Sequence, residues 1–70
     1  MQIFEVEVPE EWIGKTVGEL DIRKRYNINI LAVKNEGEFN IAISPDTDFA
    51  ENNKLLVLGE YRALQKCFRI

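Results

Sequence analysis

Three side chains stand where the surrounding pattern gives them something to explain. Asn29 is an amide inside the aliphatic run Ile28-Asn29-Ile30-Leu31-Ala32. There it must find partners, from loop backbone or from a ligand, or cost roughly 1 to 3 kcal/mol. It also offers a donor and an acceptor side by side, the pattern that matches the edge of adenine. Arg23 opens the basic run Arg23-Lys24-Arg25, whose members point about 100° apart on a helix, so that at most one or two face a common site. Lys24 and Arg25 read as a solvated helical face that complements the negative C-terminal end of a short helix. Arg23 directly follows a turn at which Asp21 could hold its guanidinium in a fixed pose. Pro45 closes a strand, and its rigid apolar ring is either a turn former or, beside Asn29, a surface on which a flat ring stacks.

Composition removes most other chemistry. The 70 residues include no histidine, hence neither the usual general base nor the commonest metal ligand. The lone serine and lone cysteine have no histidine to activate them, so the reading is not an enzyme. A net charge of -3 argues against nonspecific binding of DNA, RNA or anionic membranes, which depends on many cations neutralising phosphates. Any anionic ligand has to be caught locally. Glu10-Glu11 and Asp46 to Glu51 lack the regular alternation of a calcium loop and read as solvated, so no metal is expected. The four glycines are isolated, which excludes phosphate loops of the P-loop or dinucleotide-fold kind. No apolar run is long enough to span a membrane and no signal peptide precedes Ile3. Cys67 has no intramolecular partner, which fits a reducing cytoplasm; its expected role is packing on a helix.

The elements that must position these residues follow from periodicity. Ile3 to Val8 alternates, with Phe4, Val6 and Val8 on one side, as in a half-buried strand ended by Pro9. Thr16-Val17-Gly18-Glu19 has capping-box spacing, so a short helix begins near Val17. Asp21 is placed to cap a further turn or two over Ile22 to Tyr26, and Asn27 suits a left-handed helix end. Ile28 to Lys34 reads as a strand with Ile28, Ile30 and Ala32 on one face and Asn29, Leu31 and Val33 on the other. Asn35-Glu36-Gly37-Glu38 is a hairpin loop, so Phe39 to Ile43 should return antiparallel, with Phe39, Ile41 and Ile43 alternating, until Ser44-Pro45 stops it. Phe49 pins the polar loop that follows. Leu55 to Leu58 is continuous aliphatic, as in a strand covered on both faces, and Tyr61, Leu64 and Phe68 recur at helical spacing. The fold class is α+β: a small single-sheet domain of about four mainly antiparallel strands with short helices. A domain this size buries only about 60% of its unfolded surface, so a partner surface is expected.

With those residues in place, the chain resembles the C-terminal regulatory domain of bacterial potassium-transport gating proteins, the TrkA-C or RCK C-terminal domain. The resemblance spans nearly the whole chain. It rests on the opening strand with Trp12-Ile13-Gly14-Lys15-Thr16, on Leu20-Asp21-Ile22-Arg23, on Tyr26 to Lys34, and on Ser44-Pro45 leading to Leu55-Leu56-Val57-Leu58-Gly59. It departs at Asn27, where the family often has glycine, and at Asn52-Asn53-Lys54, where a Gly-Asp pair is common. The N-terminal nucleotide-binding domain of such proteins is not in this chain, so residues 1–70 are expected to be a fragment of a longer protein or a stand-alone domain.

The resemblance implies a cytoplasmic homodimer, peripheral to the inner face of the membrane, that gates a potassium transporter or channel subunit without inserting into the bilayer. Its Asp-Ile-Arg and Asn-Ile elements resemble most the KtrA-like branch, in which the dimer interface binds cyclic di-AMP. Carried over, Arg23 meets a phosphate and Asp21 orients Arg23. Asn29 and Ile30 contact adenine or phosphate through side chain or backbone, Ile28 and Pro45 wall the ring, and Val17 adds to that wall. The alternative is a structural dimerisation module with no ligand, in which Asn29 is satisfied internally.

Overall fold

Strand β4 (Lys54–Gly59), the continuous aliphatic run, occupies the middle of the sheet in the computed structural model, which describes residues 1–70. Its neighbours are β1 (Gln2–Glu7) and β2 (Ile28–Asn35), and the short β3 (Glu38–Asn40) lies outside β2, giving the order β1-β4-β2-β3 with every pairing antiparallel. Helices α1 (Val17–Leu20), α2 (Ile22–Tyr26) and α3 (Tyr61–Cys67) complete the expected α+β class. None is long and apolar enough to cross a membrane.

The pairing register explains which residues are inside. Phe4 and Val6 stand opposite Val57 and Leu55, and Ile30 and Val33 stand opposite the same two residues from the other side. Because directly paired residues share a face, this set builds one buried layer, to which Leu20, Ile22, Leu64 and Phe68 are added from the helical side. Trp12, on a 3-10 turn over Glu10–Trp12, is only 1% exposed and lies about equally far from three rings: Tyr26 at 5.5 Å, Phe49 at 5.6 Å and Phe68 at 5.5 Å. Offset and edge contacts of this kind add to the area buried. The aromatic that pins the loop is therefore Phe49, as its isolation in a polar stretch suggests.

Four local expectations need correction. The β2 faces do not alternate throughout: a bulge sets two residues, Leu31 and Ala32, against Leu56, so Val33 rather than Ala32 joins Ile28 and Ile30 on the core side. The strand over Phe39 to Ile43 ends at Asn40, because the Asn40 side-chain oxygen accepts the Ala42 N–H at 2.9 Å and the Ile43 N–H turns back to the Ile41 carbonyl at 2.9 Å. Both donors are thus withdrawn from the ladder, and Ile41 is left 80% exposed. β4 is covered on one face only: Leu55 and Val57 are fully buried, whereas Leu56 and Leu58 are half-buried beside exposed Ile3. Finally, β1 ends at Glu7, leaving Val8 just beyond it.

The turn chemistry follows the sequence closely. Thr16 and Glu19 form the reciprocal cap, Glu19 N–H to Thr16 Oγ1 at 3.1 Å and Thr16 N–H to Glu19 Oε1 at 2.9 Å. Asn27 adopts φ 58°, ψ 41° and ends α2. At the hairpin, Glu36 and Gly37 both have positive φ, the requirement of the tight turn whose twist matches a two-stranded ribbon.

Candidate ligand groove

The early end of β3 opens the site. β3 pairs with β2 only over Val33–Asn35, so the outer edge of β2 over Ile28–Leu31 has no strand beside it and alternate backbone amides and carbonyls are free there. A groove of about 360 Å³ forms along this edge. Helices α1 and α2 supply Val17, Ile22 and Arg23, β2 supplies Ile28, Asn29 and Ile30, and the loop beyond β3 supplies Ile43, Ser44 and Pro45.

Six of the sequence-derived candidates, Val17, Arg23, Ile28, Asn29, Ile30 and Pro45, therefore meet at one place, although twenty-one residues of sequence lie between Arg23 and Pro45. Ile28 contributes from below, since it is almost fully buried in the core. Asp21 does not join them. It bridges α1 and α2 at φ 50°, ψ 51°, with its carbonyl accepting the Arg25 N–H at 2.9 Å and no side-chain capping bond. Nor does its carboxylate pair with Arg23, for the chain's two ion pairs are Met1 with Glu60 and Lys34 with Glu5. The left-handed backbone at Asp21 sets its side chain outside the helical face of α2 that carries Arg23, which is the physical reason for this departure from the expected Asp21–Arg23 contact. The left-handed turn is nonetheless what aims α2, and with it Arg23, at the groove.

Three lining residues escaped sequence reasoning. Ile22 reads only as the start of a helical turn, Ser44 as part of a strand stop, and Ile43 as the end of a longer strand; only Ser44, adjoining Pro45, carries a usable signal.

The polar groups of the groove are largely free. Arg23 is exposed and has no carboxylate within ion-pair distance. Asn29 is half-buried, and none of the chain's side-chain hydrogen bonds involves its amide. The Ser44 hydroxyl oxygen accepts the Asp46 N–H at 3.3 Å, which ties it to the loop rather than to a base. One cation, one free amide and apolar walls thus face a single groove of a small α+β domain.

The chain belongs to the TrkA-C domain family, whose model matches residues 1–70. It is 36% identical over 64 residues to the K(+)/H(+) antiporter subunit KhtT of Bacillus subtilis (strain 168), a match that covers 90% of this chain and 39% of that protein. The chain thus spans about two-fifths of the length of this curated relative. Among solved structures it is similar to the RCK C domain of the potassium transport protein KtrA in complex with cyclic diadenosine monophosphate, at 32% identity and a TM-score of 0.84, covering 93% of this chain and 76% of that one. It is also similar to the RCK_C domain dimer of S. agalactiae BusR in complex with the same dinucleotide, at 25% identity and a TM-score of 0.80, covering 90% of this chain and 80% of that one.

Proposed function

We propose that this domain is the regulatory module of a potassium or other cation transport system, and that it binds cyclic di-AMP in the β2 groove at a homodimer interface. The observation that carries the proposal is the juxtaposition of an unpaired Arg23 guanidinium with an Asn29 amide that has no partner in its own chain. A ligand with a phosphate and an adenine edge supplies what both lack. Pro45, Val17 and Ile30 give that base an apolar seat, and the alternate backbone groups left free on the β2 edge supply further donors and acceptors. A ligand-free dimerisation module would leave the half-buried amide of Asn29 without a role, so it accounts for less.

Size and symmetry support the dimer. A groove of about 360 Å³ lies at the low end of small-molecule pockets and suits one half of a dinucleotide. A twofold-symmetric ligand fits an isologous pair in which each copy offers the same patch. Two Arg23 side chains then oppose two phosphates, which reconciles anion binding with an acidic protein. The likeness to KhtT and to the KtrA domain supports a role in potassium movement at the cytoplasmic side of the membrane, exerted through a longer protein on its transporter.

Isothermal titration of the purified domain with cyclic di-AMP, with cyclic di-GMP as control and mass in solution measured alongside, tests this. Saturable binding near one ligand per dimer, absent with the control, is the expected result. A dimer that gives no heat and gains no thermal stability with cyclic di-AMP would overturn the ligand reading and leave the structural module.

A further inference from the structure

Gly18 is not part of the groove lining, yet it stands directly behind the Pro45 wall. Its N–H donates to the Pro45 carbonyl at 2.9 Å, and a Cβ added to Gly18 would lie 3.0 Å from that oxygen and 3.1 Å from Pro45 Cβ. Gly18 lies within α1, so its backbone suits any residue; what demands glycine is room. One residue earlier, the Val17 N–H donates to the Thr47 carbonyl at 2.8 Å. The turn between is closed on itself, with the Thr47 N–H donating to the Ser44 carbonyl at 3.1 Å and the Ser44 N–H to Thr47 Oγ1 at 2.9 Å. The Pro45 turn is thus a small rigid body clipped by two bonds to the first turn of α1, which the Thr16–Glu19 cap holds in place.

We infer that Gly18 is a positioning residue that sets how far the Pro45 wall stands from Arg23 and Asn29, and so how wide a ring the groove accepts. For its ligand this rests on the cyclic di-AMP reading above; for the placement of the wall it rests on geometry alone. Carbon contacts are comfortable at about 3.5–4.0 Å, so a methyl group at position 18 pushes the turn back by a few tenths of an ångström. The turn cannot absorb that within itself, and the rigid proline ring carries the displacement into the groove. A helix glycine with no positioning role predicts the same stability but a different effect on binding. Alanine is the better helix former, so relief of a helix glycine leaves the domain as stable or more so, with binding untouched.

Titration calorimetry and thermal unfolding of Gly18→Ala, Pro45→Ala and the double variant separate these outcomes. For Gly18→Ala we expect cyclic di-AMP binding weakened about tenfold, the scale on which a wall displaced toward the tolerance of about 0.5 Å is felt, with Tm unchanged or raised. The double variant binds no worse than Pro45→Ala alone, because Gly18 acts through Pro45. Wild-type affinity in Gly18→Ala, a loss of binding matched by a loss of Tm, or additive effects in the double variant would overturn the inference. Failure of the unsubstituted domain to bind cyclic di-AMP would sink the ligand reading only. The positioning claim then stands or falls on amide resonances, which Gly18→Ala must shift at Asp46 and Thr47 and which, unshifted, would refute it.

Discussion

Two asparagines, Asn53 and Asn29, divide the molecule into a region that is finished and a region that is not. Asn53 is buried, and its side-chain oxygen accepts the Ala50 N–H at 2.8 Å, closing the loop that brings Phe49 against Trp12. Asn29 is half-buried on the free edge of β2 and is matched by nothing in its own chain. Helix α2 serves both regions, sending Tyr26 to Trp12 and Arg23 to the groove. The difference teaches that residue type does not mark a functional amide. What singles out Asn29 is a hydrogen-bonding capacity left open on a half-buried strand residue, whereas every fully buried side-chain polar atom has a partner.

The comparison breaks most visibly at Trp12. Removing its ring from among three others should cost about 3–5 kcal/mol, most of what a domain of this size holds in reserve. Trp12→Ala is therefore expected to be largely unfolded by circular dichroism at 25 °C, and a cooperative melt near that of the parent would show that the aromatic cluster is not the anchor.

On the groove side the effects should fall on binding instead. Arg23→Ala should weaken cyclic di-AMP binding by about 10- to 100-fold, the scale of a charge-assisted hydrogen bond lost, and Asn29→Ala by somewhat less, both with Tm held. Asn53→Ala should lower stability by about 1 kcal/mol and spare affinity once folded. Paired measurements of Kd and Tm would sharpen the contrast; a destabilised Asn29→Ala or a non-binding Asn53→Ala would erase it.

The smallest effect belongs to Cys67, at the margin of the core. Burial, aided by the negative charge of Glu11, pushes its thiol above the ordinary value. The folded state thus favours the protonated thiol, so this contribution is fully present below the unfolded thiol's pKa, about 8.5, and is lost as pH rises through the higher folded value. Denaturant titrations from neutral pH upward should show stability falling on the alkaline side, and Cys67→Ala should flatten that part of the profile. An unchanged slope would assign the fall to other groups.

What the sequence made legible was local. The Thr16–Glu19 cap, the left-handed Asn27 and the Glu36-Gly37 turn each depend on chemistry within a few residues, and each formed as spacing required. Arg23, Asn29 and Pro45 were singled out by their misfit with their surroundings, and their family resemblance joined them into a site. The shortfall at β3 was decided by Asn40, whose side chain competes for an amide that alternation alone assigns to the ladder. That Val33 rather than Ala32 shares the face of Ile28 and Ile30, although both are buried, depends on the register with β4, which lies more than twenty residues away. The missing Asp21–Arg23 contact is a matter of the left-handed backbone at Asp21 rather than of proximity in sequence.

The bulge at Leu31 also bears on how this domain tolerates changes in length. Because Leu31 is the surplus residue in the ladder with β4, deleting it would leave Ile28, Ile30 and Val33 on the same face and every core partner matched. Deleting Asn29, one turn of the pleat earlier, would reverse the faces of the residues before the gap. A chain one residue shorter at position 31 therefore folds on the same core but loses the bend that a bulge imposes, straightening β2 where the groove begins. Loss of that one residue is therefore expected to be felt in the shape of the groove more than in the core.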